Sequence, residues 1–170
     1  MAPTTSASTE LEASLEALHE SSFGWARSCC DGDREEAHDV LHTTYVKILS
    51  GRARFEGRST FRTWLFGVIR LTALEERRAS ARQRALADWD ERREADPLDA
   101  ALIAVDEREA LRLALARLPA RQQEVLHLVF YQDLSIADAA EVMGISVGSA
   151  RTHYERGKKR LRTLLFAEGG

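Results

Sequence analysis

Ser149, Arg151, Thr152, Arg156, Lys158 and Lys159 crowd one short stretch of this chain. Their chemistry suits a nucleic acid. Hydroxyls and a guanidinium near a helix start reach base edges, and cations behind them hold phosphates. The apolar residues of the same stretch are Val147, Ala150, Tyr154, Gly157, Leu161, Leu164 and Leu165. They recur at three- and four-residue steps, which predicts one inward helical stripe with the polar set mostly off it. The positioning element is the segment DLSIADAAEVMGISVGSARTHYERGKKRLRTLL, Asp133 to Leu165. It reads as two helices. Ser135 and Asp138 form a capping box for the first and Ser146 caps the second. Gly144 supplies the permissive backbone of the turn between Met143 and Ile145, and Ala140 is small where the helices cross. This is a helix-turn-helix whose second helix is expected in a DNA major groove. The alternative is an αα-hairpin with a solvated basic face.

Catalytic arrangements are not visible. There is no P-loop, no nucleophile with a base, and no convincing metal set. Cys29 and Cys30 are adjacent, so no disulfide framework is implied. His38 and His42 sit four apart and could in principle join them on zinc. Nothing in the sequence brings the two pairs together, so no metal, cofactor or small-molecule substrate is expected.

The chain has 170 residues and 44% hydrophobic content, ordinary for a soluble globular protein. No apolar run approaches the roughly 20 residues of a membrane span. The start, from Met1 to Glu10, lacks the basic and apolar parts of a secretion signal and reads as a disordered tail over residues 1–9. A cytoplasmic protein is expected, and no appended sensory domain is expected after Leu165. The net charge of -3 hides a partition. Residues 51–84 carry nine arginines against three acids, a net of +6. Residues 149–170 carry six bases against two acids, a net of +4. Residues 85–110 between them carry three bases against nine acids, a net of -6. Two basic patches around an acidic stretch predict two contacts with one polyanion and a linker kept off it.

Strand signals are nearly absent and helical periodicity dominates. One helix is expected from about Glu10 to Cys29, weakened by Ser21, Ser22 and Gly24. A second, roughly Arg34 to Ser50, places Ala37, Val40, Leu41, Thr44, Tyr45 and Ile48 on one face, with Asp39, Thr43, Val46 and Lys47 on another. Ser59 or Thr60 caps a third, running to about Arg84. Its inward set is Phe61, Trp64, Leu65, Val68 and Ile69, and Arg62, Arg70 and Arg77 are expected to look outward. Pro119 starts a later helix, where its missing N–H costs little. The expected fold is all-α, with two small helical domains at 10–84 and 106–168 and an acidic linker at 85–105.

These segments resemble a known family in both halves and in order: the bacterial extracytoplasmic-function (group IV) sigma factors. AHDVLHTTYVKIL (Ala37 to Leu49) is similar to the family's region 2.2. FEGRSTFRTWLFGVIRLTALEERR (Phe55 to Arg78) is similar to regions 2.3 and 2.4. The run from Leu115 to Leu165 is similar to domain 4. The resemblance implies a non-enzymatic sigma factor that binds core RNA polymerase through its clamp coiled coil and flap. It would direct the enzyme to promoter DNA, serve a stress or another signal, and be held inactive by an anti-sigma factor, at the inner membrane where that partner is membrane-bound.

By position, the resemblance implies that Asp39, Thr43 and Lys47 face the clamp. It implies that Arg54, Arg58, Ser59, Thr60, Phe61, Arg62, Thr63, Trp64, Arg70, Leu71, Arg77 and Arg78 meet the −10 element. Flat aromatic surface there would replace the base stacking lost on melting, and the arginines would hold the backbone. The competing assignment for Phe61 and Trp64 is simple core. Arg121, Ser149, Arg151, Thr152, His153, Arg156 and Lys158 would meet −35 DNA. A stand-alone dimeric helix-turn-helix regulator is the rival function, and a protein-binding helical adaptor a third.

Three positions depart from the family pattern. Thr43 stands where an acid is common. Leu71 stands where an asparagine often recognises an unstacked −10 base, and it cannot make that hydrogen bond. His153 stands where arginine is common, and histidine changes charge near neutrality. We expect −35 affinity to be mildly pH-sensitive between about pH 6 and 8 on account of this substitution. A titration of duplex binding against pH checks this, and an unchanged pH slope in His153→Arg overturns it.

Overall fold

A computed structural model of the chain describes residues 4–87 and 107–167. The described residues form eight α-helices and one π-helical turn, with no strand among them. Most of the expected acidic linker lies outside the described residues.

The N-terminal stretch differs from its expectation. It forms two helices, α1 (Thr4–Ala17) and α2 (His19–Cys29), parted at Leu18. Helix α1 begins inside the stretch read as a tail. Ser21, Ser22 and Gly24, read as the weak point, stay helical because packing overrides propensity. Ser22, Trp25 and Ala26 are wholly buried. Asp31 and Gly32 then turn the chain with φ of 52° and 86°. Asp33 caps α3 (Arg34–Leu49), accepting from the backbone N–H groups of Glu35 and Glu36 at 2.9 and 3.1 Å. Of the expected inward face, Ala37, Val40, Leu41, Thr44 and Ile48 are buried and Tyr45 is half-buried.

Helix α4 (Phe61–Ala87) is 27 residues long. Thr60, one of the two expected caps, accepts from Thr63 N–H at 3.2 Å. Leu65 and Ile69 are buried as expected, and so is Phe66, which the expected inward set did not include. The reason is that α4 is covered on two sides, by α2 and α3 and by a helix of the second group, α7 (Ile136–Met143). Residues 62, 66 and 70 share that second face at four-residue steps.

The second group comprises α5 (Glu107–Ala116), α6 (Ala120–Leu126), the π-turn (His127–Tyr131), α7, and α8 (Val147–Ala167). Pro119 sits at the N-cap of α6 as expected. The Gln123 side-chain amide donates to the carbonyls of Ala116 and Leu118 at 2.9 and 3.0 Å, closing the end of α5. Ser135 caps α7 by accepting from Asp138 N–H at 3.0 Å. Gly144 ends α7 at φ 66°, and Ile145 N–H donates back to Ala140 O at 3.1 Å. Gly157 lets α8 lie against α6. A Cβ there would stand 3.1 Å from Leu126 Cδ1 and 3.2 Å from Gln122 Cβ.

The two groups share one core. Leu128, Leu134, Ala139, Val142 and Met143 belong to the same buried cluster as Trp25, Leu65, Phe66 and Ile69. His127 lies at this boundary. Its ring is 5.5 Å from Trp25 and 5.2 Å from Tyr131, and its Nε2 faces the Gln132 amide nitrogen at 3.2 Å. Burial pushes its pKa down from 6.5 to about 4. The unfolded chain therefore takes up this proton at a higher pH than the folded one. Stability is expected to fall as pH drops from about 6.5 to about 4, by on the order of 3 kcal/mol from this group. Denaturant midpoints across that window check it. His127→Phe should show a shallower acid slope than the parent chain.

Candidate nucleic-acid interface

The helix-turn-helix presents its polar face to solvent. Ser146 accepts from Ser149 N–H at 3.1 Å and donates to Ser149 Oγ at 2.9 Å, so α8 starts where its cap predicts. Behind it, Ala150 and Gly157 are buried, Tyr154, Leu161 and Leu164 are half-buried, and Leu165 is exposed. Val147 departs from the expected inward stripe: it is exposed. Ser149, Arg151, Thr152 and Arg156 are exposed and His153 is half-buried. Thr152 Oγ donates to Gly148 O at 3.0 Å. Lys158 lies 4.4 Å from the centre of the Tyr154 ring and 3.4 Å from Glu155. Arg121, on α6, is exposed with Nη1 3.4 Å from Met143 O and 3.8 Å from Glu124.

A second face forms at the start of α4. Phe55, Phe61 and Trp64 cluster with ring centres 5.4 to 5.5 Å apart. Phe61 and Trp64 are half-buried, between the two assignments made for them, and Phe55 is 40% exposed. Phe55 was not among the expected site residues, because a loop residue has no periodicity to betray it. Its aromatic character beside Phe61 was the available signal. Arg54 donates to Gly51 O at 3.1 Å, and Arg58 pairs with Glu56 at 3.2 Å in full exposure. Ser59 is half-buried and Thr60 exposed, while Thr63 is buried beneath Thr60, accepting its hydroxyl at 3.0 Å. Leu71 is 56% exposed.

The arginines farther along α4 do not all look outward. Arg77 does, paired with Asp31 at 3.1 Å and donating to Cys29 O at 2.9 Å, and Arg78 is exposed. Arg62 is half-buried and donates to Gln132 Oε1 at 3.0 Å. Arg70 is only 8% exposed and forks onto Glu124, at 2.9 and 3.5 Å. The expected outward direction of Arg70 is thus corrected. Periodicity within one group could not anticipate a neighbour from the other.

The three expected clamp residues share one side of α3, which runs from solvent at Asp39 to the edge against α4 at Thr43 and Lys47. Asp39 is exposed, Thr43 donates to Glu76 at 2.7 Å, and Lys47 binds Glu75 at 2.6 Å and Thr72 at 3.1 Å. Glu75 and Glu76 of α4 therefore belong to this face, although no role was expected for them. The four candidate zinc ligands do not gather. His38 stacks on Phe23 at 4.6 Å and His42 is exposed. Desolvation raises both thiols, Cys30 to about 11, so they are protonated at neutral pH and poor nucleophiles. No group of three potential metal ligands lies together among the described residues.

Comparison with known proteins matches both groups. Residues 16–83 match the family described as Sigma-70 region 2, and residues 108–161 match Sigma-70, region 4. The chain is 32% identical over 138 residues to the ECF RNA polymerase sigma factor SigX of Bacillus subtilis, covering 76% of this chain and 71% of that protein. It is 29% identical over 140 residues to the ECF sigma factor EcfG of Rhodopseudomonas palustris, covering 81% and 76%. Its fold is similar, at a TM-score of 0.74 and 24% identity, to the sigma factor RpoE of Bartonella quintana, solved with the anti-sigma factor NepR. That likeness covers 92% of this chain and 96% of that one.

The α8 face makes a quantitative expectation. Arg151→Ala and Arg156→Ala should each weaken duplex binding and lower the slope of log affinity against log salt by about 1. Fluorescence anisotropy over a salt series measures it.

Proposed function

We infer the function from one premise: the chain belongs to the sigma-70 family, in its extracytoplasmic-function branch. It is an alternative sigma factor that directs transcription initiation by core RNA polymerase at promoter DNA. The observation that carries this is the succession of region 2 and region 4, the second holding an exposed hydroxyl- and arginine-bearing helix start. Members of this family act by binding rather than by catalysing a reaction, and we assign this chain no catalytic residue.

We propose that α3 meets the polymerase clamp through Asp39, with Thr43 and Lys47 beside it. Lys47 and Thr43 are held by Glu75 and Glu76, so this face offers acids as well as a cation to a partner. The start of α4 meets the −10 element. Phe55, Phe61 and Trp64 give a flat apolar platform for bases that have lost their stacking partners. Arg54, Arg58, Arg77 and Arg78, joined by Arg62 and Arg70, hold the strand's phosphates. Ser149, Arg151, Thr152, His153, Arg156 and Lys158, with Arg121, meet the −35 duplex. This division corresponds to functional units at 10–84 and 106–168.

An anti-sigma factor is a proposed partner, from the likeness to the Bartonella protein. Val46, Leu49 and Phe130 are exposed apolar residues that such a partner would cover. No helix among the described residues is long and apolar enough to cross a membrane. We propose that the chain works in the cytoplasm, beside polymerase and promoter, or at the inner membrane when an anti-sigma factor holds it there.

Permanganate probing of promoter DNA tests the reading. Reactive thymines at −10 are expected only when this chain and core polymerase are both present. Duplex binding without polymerase and without opening would favour the dimeric regulator. Neither binding nor opening would favour the adaptor. Phe55→Ala and Trp64→Ala should each reduce opening roughly tenfold, with −35 duplex affinity unchanged. Unimpaired opening in both variants would remove the platform from the mechanism.

A further inference from the structure

Gly67 lies well inside α4, where glycine costs stability relative to alanine. The two ordinary reasons for a helical glycine do not apply to it. Its φ is not positive, unlike those of Gly32, Gly51, Gly57 and Gly144. No neighbour forbids a side chain either. A Cβ at Gly67 would meet no atom of the described residues within 4 Å, whereas at Gly157 it would stand 3.1 Å from Leu126 Cδ1. What glycine provides here is an unfilled place on the surface of the helix.

That place has apolar sides. At helical steps of three and four, Trp64, Val68, Leu71 and Leu74 share its face of α4. Trp64, Val68 and Leu74 are half-buried, and Leu71 is 56% exposed. Trp64 and Leu71 stand about 10.5 Å apart along the axis, and the two side chains narrow that gap to the room of a single ring. A helical leucine leans towards the helix start, so Leu71 closes over residue 67. The surroundings suit a polyanion. Trp64 continues into the Phe55 and Phe61 cluster, with ring centres 5.4 to 5.5 Å apart. Arg58 is exposed at one end of this face and Arg78 at the other. Glu75, between Leu71 and Arg78, is paired with Lys47 at 2.6 Å.

We propose that the notch at Gly67, between Trp64 and Leu71, seats one unstacked thymine of the opened −10 strand and reads it through its methyl group. The proposal rests on the reading that this face meets −10 DNA, and it names the base and the contact. Thymine alone among the four bases carries an apolar group on its edge, the C5 methyl, and an aliphatic wall favours it. Cytosine offers a ring of the same size without that methyl, and its amino group finds no acceptor on the side chains of Val68, Leu71 or Leu74. A purine needs room for a second ring. Recognition by contact with leucine also leaves no polar group of the protein unpaired when the notch is empty or filled.

The test uses holoenzyme assembled from the full chain and core polymerase. It is titrated with a fluorescent single strand carrying the −10 element of a promoter it opens. Each thymine is replaced in turn by deoxyuridine, which lacks only the methyl, and each cytosine by 5-methylcytosine. At one position deoxyuridine should weaken binding roughly fourfold, and 5-methylcytosine there should bind roughly fourfold tighter than cytosine. Gly67→Leu fills the notch and Leu71→Ala removes its wall, so in both variants the methylated and unmethylated strands should bind alike. Gly67→Ala, which favours the helix, repeats the test should the leucine variant lose its cooperative melt, and it should shrink the methyl effect. A parent holoenzyme indifferent to the methyl at every position overturns the notch, and so does a methyl effect that survives these variants. Trp64→Ala separates the two levels. Strand binding unmoved by Trp64→Ala removes this face from the −10 contact and the notch with it. Strand binding weakened by Trp64→Ala, with no methyl effect in the parent, removes the notch alone.

Discussion

A buried indole joins three elements of this protein. Trp25 of α2 is wholly buried, and its N–H donates to the Phe66 carbonyl of α4 at 3.0 Å. A buried indole needs such an acceptor, and the bond fixes where α4 crosses α2. The ring stacks against Phe66 at 6.2 Å and lies 5.5 Å from His127 of the second helical group. The integrity of the first group and its docking to the second therefore depend on the same side chain. The two helical groups are thus tied through a side chain with no exposed surface.

Electrostatics follow from that packing. The chain has a small negative net charge, yet its arginines are concentrated where DNA is expected. Acids of the same chain pair with several of its cations: Glu75 with Lys47, Asp31 with Arg77, Glu124 with Arg70. The exposed pairs are worth little and exchange readily with a polyanion or a partner surface. The Arg70 pair differs because it is desolvated. Arg151 and Arg156 on α8 stay exposed. The basic faces therefore differ in accessibility, open on α8 and partly engaged on α4.

Much of this was legible in the residues. The caps at Thr60, Ser135 and Ser146, the left-handed Gly144, and most of the inward face of α3 are local features that short-range chemistry dictates. Family resemblance was legible for the same reason, since the motifs sit on contiguous helices. What escaped notice was long-range. The break at Leu18 has no strong signal of its own, and the helicity of Ser21 to Gly24 depends on burial against α3 and α4. Arg70 reads as a solvent residue until α6 brings Glu124 against it from 54 positions away. Phe55 lies in a loop, where no period separates a packed side chain from a free one. The π-turn over His127–Tyr131 carries no composition that distinguishes it from an ordinary helix.

Gly157 has a consequence that reaches beyond its own contacts. It permits α8 to lie flush on α6, where a methyl would press to 3.1 Å from Leu126 and 3.2 Å from Gln122. The exposed Ser149, Arg151 and Thr152 sit about 8 to 12 Å nearer the helix start, so the contact acts as the fulcrum of a lever. A bulkier residue would swing all of them together without altering any one. Substitution at this position would therefore re-aim the whole polar face of α8 while its chemistry stayed the same.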